Sequence, residues 1–210
     1  VDSTQIQQLI LDPILARLAL PDAPHRYMLG LAGAPGAGKS TVAQVLLDAL
    51  PGRAALVPMD GFHLANEELA RLGRADRKGA QDTFDSAGYV ALLQRLRRQR
   101  AGEVIYAPTF RRDIDAAEAG AIAVPEHIEL IITEGNYLLL DEGHWANVRG
   151  LLDETWYIDI DPALRRERLV ARHMRFGRSA EAALAWVLNT DEPNARLIDA
   201  SMARADHVLR

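Results

Sequence analysis

The chain has 210 residues, 49% hydrophobic and 25% charged, with 24 Lys+Arg against 29 Asp+Glu and no cysteine. At about 150 residues per domain, residues 1–210 read as one domain that can bury roughly 70% of its extended surface without a staple. Disulfides, zinc–thiolate sites and thiol nucleophiles are excluded, no apolar run approaches the roughly 20 residues of a membrane span, and a net charge of −5 argues against a broad nucleic-acid surface.

The polar start Val1-Asp2-Ser3-Thr4-Gln5 is unlike a secretory signal, so a cytoplasmic protein without membrane insertion is expected. Of the 24 basic residues, 22 are Arg, which makes Lys39 and Lys78 informative: positions indifferent between the two have become Arg.

Ile6, Leu9, Ile10, Ile14 and Leu18 follow helical spacing and predict an amphipathic helix over 4–18, closed by Pro21 and Pro24. Tyr27 to Ala32 reads as a buried strand entering a Gly-rich turn. Val42, Val45, Leu46 and Ala49 stripe a helix that stops at Pro51-Gly52. Ala54 to Met59 is a second strand, ending at Asp60. Residues 61–84 read as loop with a short helix. Ser86 caps a helix carrying Tyr89, Leu92, Leu93 and Leu96, whose last turn is cationic, as the helix dipole favours. Glu103 to Tyr106 is an edge strand, followed by the polar segment Thr109 to Asp115. Ile128 to Thr133 and Thr155 to Ile160 are buried strands, 162–175 and 179–190 are helices, and His207 to Leu209 is a last strand. This alternation predicts an α/β domain with a mainly parallel sheet, whose ligands bind beyond the carboxyl ends of the strands.

The turn Gly33-Ala34-Pro35-Gly36-Ala37-Gly38-Lys39-Ser40-Thr41 satisfies G-x-x-x-x-G-K-[ST] between a strand and a helix. Its glycines let backbone N–H groups converge on phosphates, Lys39 reaches the β- and γ-phosphates, and Ser40 holds Mg²⁺. By composition alone the pattern arises in roughly one such chain in two thousand. The plain alternative is a Gly-rich turn with an incidental lysine. A dinucleotide loop is disfavoured because the glycines do not fit G-x-G-x-x-G.

Neither lysine sits in a guanine-reading N/T-K-x-D motif, and the strand ending Ile131-Ile132-Thr133-Glu134 carries one acid, unlike the Asp-Glu of motor ATPases. Glu134 is the candidate Mg²⁺ acid; otherwise it is an ordinary strand-end carboxylate. Asp60, at the end of the strand adjoining the phosphate loop, is placed to accept the proton of an acceptor hydroxyl, or else caps the turn at Gly61. No histidine cluster has metal-ligand spacing, and G-x-S-x-G is absent.

With the phosphate loop, Met59-Asp60-Gly61-Phe62-His63 and Thr133-Glu134-Gly135-Asn136-Tyr137-Leu138-Leu139 resemble the uridine kinase, phosphoribulokinase and pantothenate kinase group. Within it the chain is most similar to bacterial nucleoside/nucleotide kinase family proteins labelled as fructose transport system kinases. The likeness runs from about Tyr27 to Val208. It implies a three-layer α/β/α P-loop NTPase core with a five-stranded sheet and a helical lid at about 162–178. It also implies ATP, Mg²⁺ and a small-molecule hydroxyl acceptor, such as fructose or a nucleoside. By position, Lys39, Ser40 and Thr41 match the nucleotide loop, Asp60 the catalytic base and Glu134 the metal-associated acid. Arg168 and Arg172 match the lid arginines, with Arg165 third; a solvated helix face is the alternative for this run. Phe62, His63, Arg111 and Arg112 are candidate acceptor contacts, with pairing to Asp113 or Asp115 open for the arginines. Asn194 and Asp206 are candidates to flank the adenine. Gly61 and His63 stand where uridine kinases typically have Ser and Tyr, so the acceptor itself is not read. A regulatory or transport-associated ATP-binding protein with incidental hydrolysis is the second reading, and a nucleic-acid-dependent ATPase the third.

Overall fold

The structure, a computed structural model, describes residues 3–20 and 25–210; Pro21 and Pro24 lie outside the described residues. The elements run α1 (Ser3–Ile6), α2 (Asp12–Leu18), β1 (Tyr27–Ala32), α3 (Lys39–Ala49), β2 (Ala54–Leu56), α4 (Asn66–Arg71), α5 (Ser86–Arg97), β3 (Val104–Arg111), β4 (Ala116–Pro125), β5 (Leu130–Gly135), β6 (Glu154–Ile158), α6 (Pro162–Arg175), α7 (Ala180–Trp186), α8 (Glu192–Asp199) and β7 (His207–Leu209). Five strands form one sheet in the order β2-β5-β1-β6-β7, every neighbour parallel.

Helices cover both faces, so the strands are apolar throughout while their residues alternate between two cores. Met28 and Ala32 of β1, Ile131 of β5 and Tyr157 of β6 face α5 and α8. Leu29, Leu31, Leu130, Ile132, Trp156 and Ile158 face α1, α2 and α3. This is the expected three-layer α/β/α arrangement. The expected Mg²⁺ and ligand end, beyond β1, β2 and β5, gathers the phosphate loop, Asp60 and Glu134.

Several boundaries differ from the sequence expectations. Between α1 and α2 the helix widens into a π turn over Gln7–Leu11, where the Asp12 N–H bonds to the Gln7 carbonyl. Pro13 follows at once. It has no N–H to give and its ring crowds the preceding turn, and the wider turn relieves both. The apolar stripe rotates in consequence, so Leu11 is buried and Leu9 is 48% exposed. A second π turn, Val187–Asp191, precedes Glu192-Pro193 in the same manner, and the chain continues as α8 where the reading ended at 190. The cap of α5 is Asp85, which accepts from the Gly88 N–H at 2.8 Å, and Ser86 is the first helical residue. β2 stops at Leu56, and Asp60 sits in a 3₁₀ turn, Met59–Phe62. β4 was not expected: with β3 it makes a separate antiparallel hairpin standing beside the acid end of the sheet.

Candidate active site

The phosphate loop closes onto α3 through Gly38, the N-cap, at φ 100°. Gly36 is also left-handed (φ 80°), and a Cβ there would lie 2.9 Å from Leu169 and 3.2 Å from the Arg165 carbonyl of α6. Only glycine lets the covering helix approach this closely.

Lys39 is 7% exposed, and its ammonium donates to the Gly33 carbonyl (2.8 Å), the Ala34 carbonyl (3.0 Å) and Asn136 Oδ1 (2.8 Å). Burial pushes its pKa down to about 8 against the pull of Glu134 and Asp60. Ser40 Oγ donates to Glu134 Oε1 at 2.8 Å. Burial raises the Glu134 carboxyl, with Lys39 opposing.

The acid pair is held by the sheet. Tyr89 OH donates to Thr133 Oγ1 (2.6 Å), which donates to the Val57 carbonyl (2.6 Å), tying the exit of β2 to β5 one residue before Glu134. Gly135 lets Met59 lie against β5, since a Cβ there would be 2.6 Å from the Met59 Cβ. Asp60 therefore projects into the same cavity as Lys39. Its Oδ2 accepts from Arg112 Nη2 at 3.1 Å, and its carbonyl meets His63 Nδ1 at 2.8 Å. The His63 ring lies between Phe84 (4.0 Å) and Phe110 (4.5 Å), and burial holds its pKa down.

From the other side α6 brings Arg168 and Arg172, one turn apart, to the cavity wall. Burial and then Arg112 lower the Arg172 pKa, while Asp191, Asp60 and Glu134 raise it, so this guanidinium faces the acids. The cavity measures about 930 Å³ and is lined by loop, acids, hairpin and α6–α8 together.

Residues 28–210 match the profile of the Phosphoribulokinase / Uridine kinase family. The chain belongs to that family. A Schizosaccharomyces pombe protein named "Putative uridine kinase" is 33% identical over 197 residues, covering 89% of this chain and 83% of that one. The pantothenate kinase of Limosilactobacillus reuteri is 36% identical over 145 residues, 66% of this chain and 46% of that protein. The crystal structure described as "putative fructose transport system kinase" from Silicibacter sp. TM1040 superposes with a TM-score of 0.85 at 38% identity, covering 98% of both chains. The chain is thus a P-loop kinase with the α/β NTPase fold. It uses ATP to phosphorylate an alcohol group of a small metabolite.

Not every expected residue of this kinase reaches the cavity. Arg165 turns inward: it lies on the buried face of α6 with Leu169, pairs with Glu192, and leaves Nη1 without a hydrogen-bond partner. Phe62 is partly buried and packs edge-on against Tyr89 at the margin of the core, 5.2 Å between centroids. Arg111 stays on the hairpin surface, bonded to Asp113 (2.6 Å) and Glu118 (3.4 Å). Asp206 caps the start of β6, accepting from the Thr155 N–H (2.7 Å), and pairs with Arg149 (2.5 Å). Asn194 does line the cavity, beside Asp191.

Asn136, Lys78, Arg178 and Trp186 are among the cavity-wall residues that sequence reasoning does not assign. Asn136 lies inside the 133–139 motif, and that position is the only signal in the sequence; its contact with Lys39 shows in the structure. Lys78 was flagged only by the scarcity of lysine. Arg178 stacks on Trp186, 4.0 Å from the ring centroid, and both line the lid side of the cavity with no local pattern to announce them.

Proposed function

We propose that this single-domain kinase, residues 1–210, transfers the γ-phosphate of ATP to a hydroxyl of a sugar such as fructose, or of a nucleoside-like metabolite, with Asp60 as the base. One observation carries the reading: Asp60, in the turn that follows β2, opens into the same cavity as the buried Lys39, and β2 pairs with β5, the strand of Glu134. A carboxylate so placed faces the terminal phosphate of a nucleotide seated on the loop.

The backbone N–H groups of residues 33–41, Gly33, Ala34, Pro35, Gly36, Ala37, Gly38 and onward, cradle the phosphates, Pro35 having none to give. Lys39 exchanges an N–H now given to Asn136 or a loop carbonyl for a phosphate oxygen, and Thr41 completes the loop. The Ser40 hydroxyl and Glu134 carboxylate, 2.8 Å apart, are hard oxygen donors that fit Mg²⁺. Held by Ser40 and Glu134, a Mg²⁺ ion would supply positive charge to the phosphates. The acceptor oxygen attacks the γ-phosphorus, its proton passes to Asp60, and the bond to the bridging oxygen breaks as ADP leaves. Arg168 and Arg172 stabilise the transferring group and help exclude water. Asn194 borders the nucleotide, and His63 and Arg112 border the acceptor. The concave site fits a small-molecule acceptor, and the reading takes the enzyme to be cytoplasmic and independent of nucleic acid.

The test is ADP release from ATP and Mg²⁺ with sugars, purine and pyrimidine nucleosides and pantothenate added separately. Stimulation by one acceptor, absent in Lys39→Ala, supports the reading. A slow rate that no acceptor raises, with no phosphorylated product formed from a metabolite extract, overturns it in favour of a regulatory ATP-binding protein.

A further inference from the structure

Lys78, one of two lysines among 24 basic residues, has a side chain only 12% exposed. It lies on the acceptor side of the cavity, where Tyr137 OH holds the neighbouring Gly79 carbonyl at 2.5 Å. Its ammonium is 5.2 Å from the centroid of the Phe110 ring, and the Arg112 guanidinium is 6.0 Å from the same ring. Both cations also act on His63, which stacks on Phe110 and shares Asp60 with Arg112. Two fixed positive charges thus converge on one aromatic ring beside the candidate base.

The partner of Lys78 is Asp115, at the tip of the β3–β4 hairpin. Asp115 offers its carbonyl at 2.6 Å and its Oδ2 at 2.9 Å, while Asn66 Oδ1 accepts at 2.6 Å. Among the described residues Asp115 is the one non-glycine with positive φ (51°), and its side chain is 63% exposed. An otherwise solvated carboxylate is therefore turned back, through an uncommon backbone conformation, onto a nearly buried ammonium. Over the whole cavity wall six Lys and Arg face four carboxylates, in a chain of net charge −5. Three of those cations, Lys39, Arg168 and Arg172, are taken by the triphosphate in the reading above and Arg178 is stacked on Trp186, which leaves Lys78 and Arg112.

We propose that Lys78 and Arg112 form a recognition site for an anionic group of the acceptor, a carboxylate or a phosphate, for which the Asp115 carboxylate is an internal competitor. This rests on the kinase reading and narrows it, from a neutral sugar or nucleoside to an acceptor that carries an anionic group. Arg112 touches both Asp60 and the site, so an anion bound there sets a hydroxyl a few atoms away beside the base. Paired, charge-assisted contacts suit carboxylate and phosphate geometry and give a neutral polyol nothing equivalent.

The experiment is calorimetry on protein first loaded with Mg²⁺ and a non-hydrolysable ATP analogue, so that the phosphate loop is filled. Inorganic phosphate, glycerate and glycerol are titrated at millimolar concentration. Binding of phosphate or glycerate, with none of glycerol, is expected, and the tighter of the two anions names the source. Lys78→Met should weaken anion binding by roughly tenfold or more with the analogue's affinity unchanged. Asp115→Asn, which tolerates the same backbone conformation, should tighten it several-fold. A purely structural clip gives the opposite signature for Asp115→Asn, a lower melting temperature with no gain in anion affinity. That result, or the absence of anion binding to loaded wild type, or equal binding of glycerol, overturns the proposal even if Lys78→Met does not fold. Anion binding without any acceptor-stimulated ADP release sinks the kinase reading alone; stimulation by neutral acceptors without anion binding sinks this proposal alone.

Discussion

Lys39 titrates at about 8 in the native chain against 10.5 for a free lysine, because burial disfavours the ammonium. Below pH 8 the native state carries that whole penalty, roughly 3 kcal/mol. Between the two values the unfolded chain binds the extra proton and the native chain does not, so stability rises with pH in that window. Lys39→Met keeps the stem and removes the titration. It also leaves the Gly33 and Ala34 carbonyls and Asn136 without a donor, at about 1–3 kcal/mol each, so the variant melts no higher than the wild type at pH 7. The pH slope is separate from that offset. Melting both proteins in chelator from pH 7 to 10, the wild type should gain roughly 2–3 kcal/mol on the variant, about 4–12 °C for a chain of this size. A difference that stays flat across the window would refute the reasoning, because it would mean Lys39 titrates like a solvated lysine.

Three further outcomes follow from the site. Asp60→Asn keeps the shape and can still accept from Arg112, so phosphoryl transfer to the best acceptor should fall by about 10²–10⁴ while affinity for the ATP analogue holds; equal loss of both would make Asp60 a structural residue. Gly135→Ala drives a Cβ to 2.6 Å from that of Met59, and overpacking of about 1–3 kcal/mol should lower the melting temperature and reduce turnover more than nucleotide affinity, measured side by side. Glu134→Gln should raise the Mg²⁺ concentration needed for half-maximal turnover, and a metal titration that superposes on wild type would remove Glu134 from the metal site.

The parts of the fold that were legible are those whose physics is local. The strands beside the phosphate loop are short apolar runs because both faces are buried, and α5 shows its core face at helical spacing. β4 was not legible because Ala116–Pro125 has neither alternation nor a run of β-branched residues; backbone pairing with β3 makes it a strand. α8 was hidden by Pro193, which reads as a stop. The π turn ahead of it, like the one ahead of Pro13, carries a helix past a proline without leaving a carbonyl crowded. Periodicity counted at 3.6 residues per turn loses its phase across such a turn, which is why Leu9 was put inside and Leu11 was not.

The site divides along the same line. Lys39 and Ser40 open the helix that follows β1, Glu134 stands in β5 and Asp60 lies in the turn beyond β2, so all four gather at the carboxyl end of the sheet, as an α/β domain dictates; the strand order was not read, since β5 rather than β2 adjoins β1. The lid arginines depended on a phase that spacing alone leaves open. Arg165 and Leu169 share the face that packs on Gly36, and that puts Arg168 and Arg172, rather than Arg165, on the cavity. Lys78, Arg112 and Asp115 come from a loop and a hairpin joined only in three dimensions, one end of it a strand the sequence did not reveal. The nucleotide half of this cavity is therefore encoded in contiguous motifs, because phosphate must meet consecutive backbone N–H groups. The half proposed for the acceptor is encoded in contacts between distant segments. Sequence names the donor of the phosphate through those motifs, and the side of the cavity proposed for the acceptor comes together only in three dimensions.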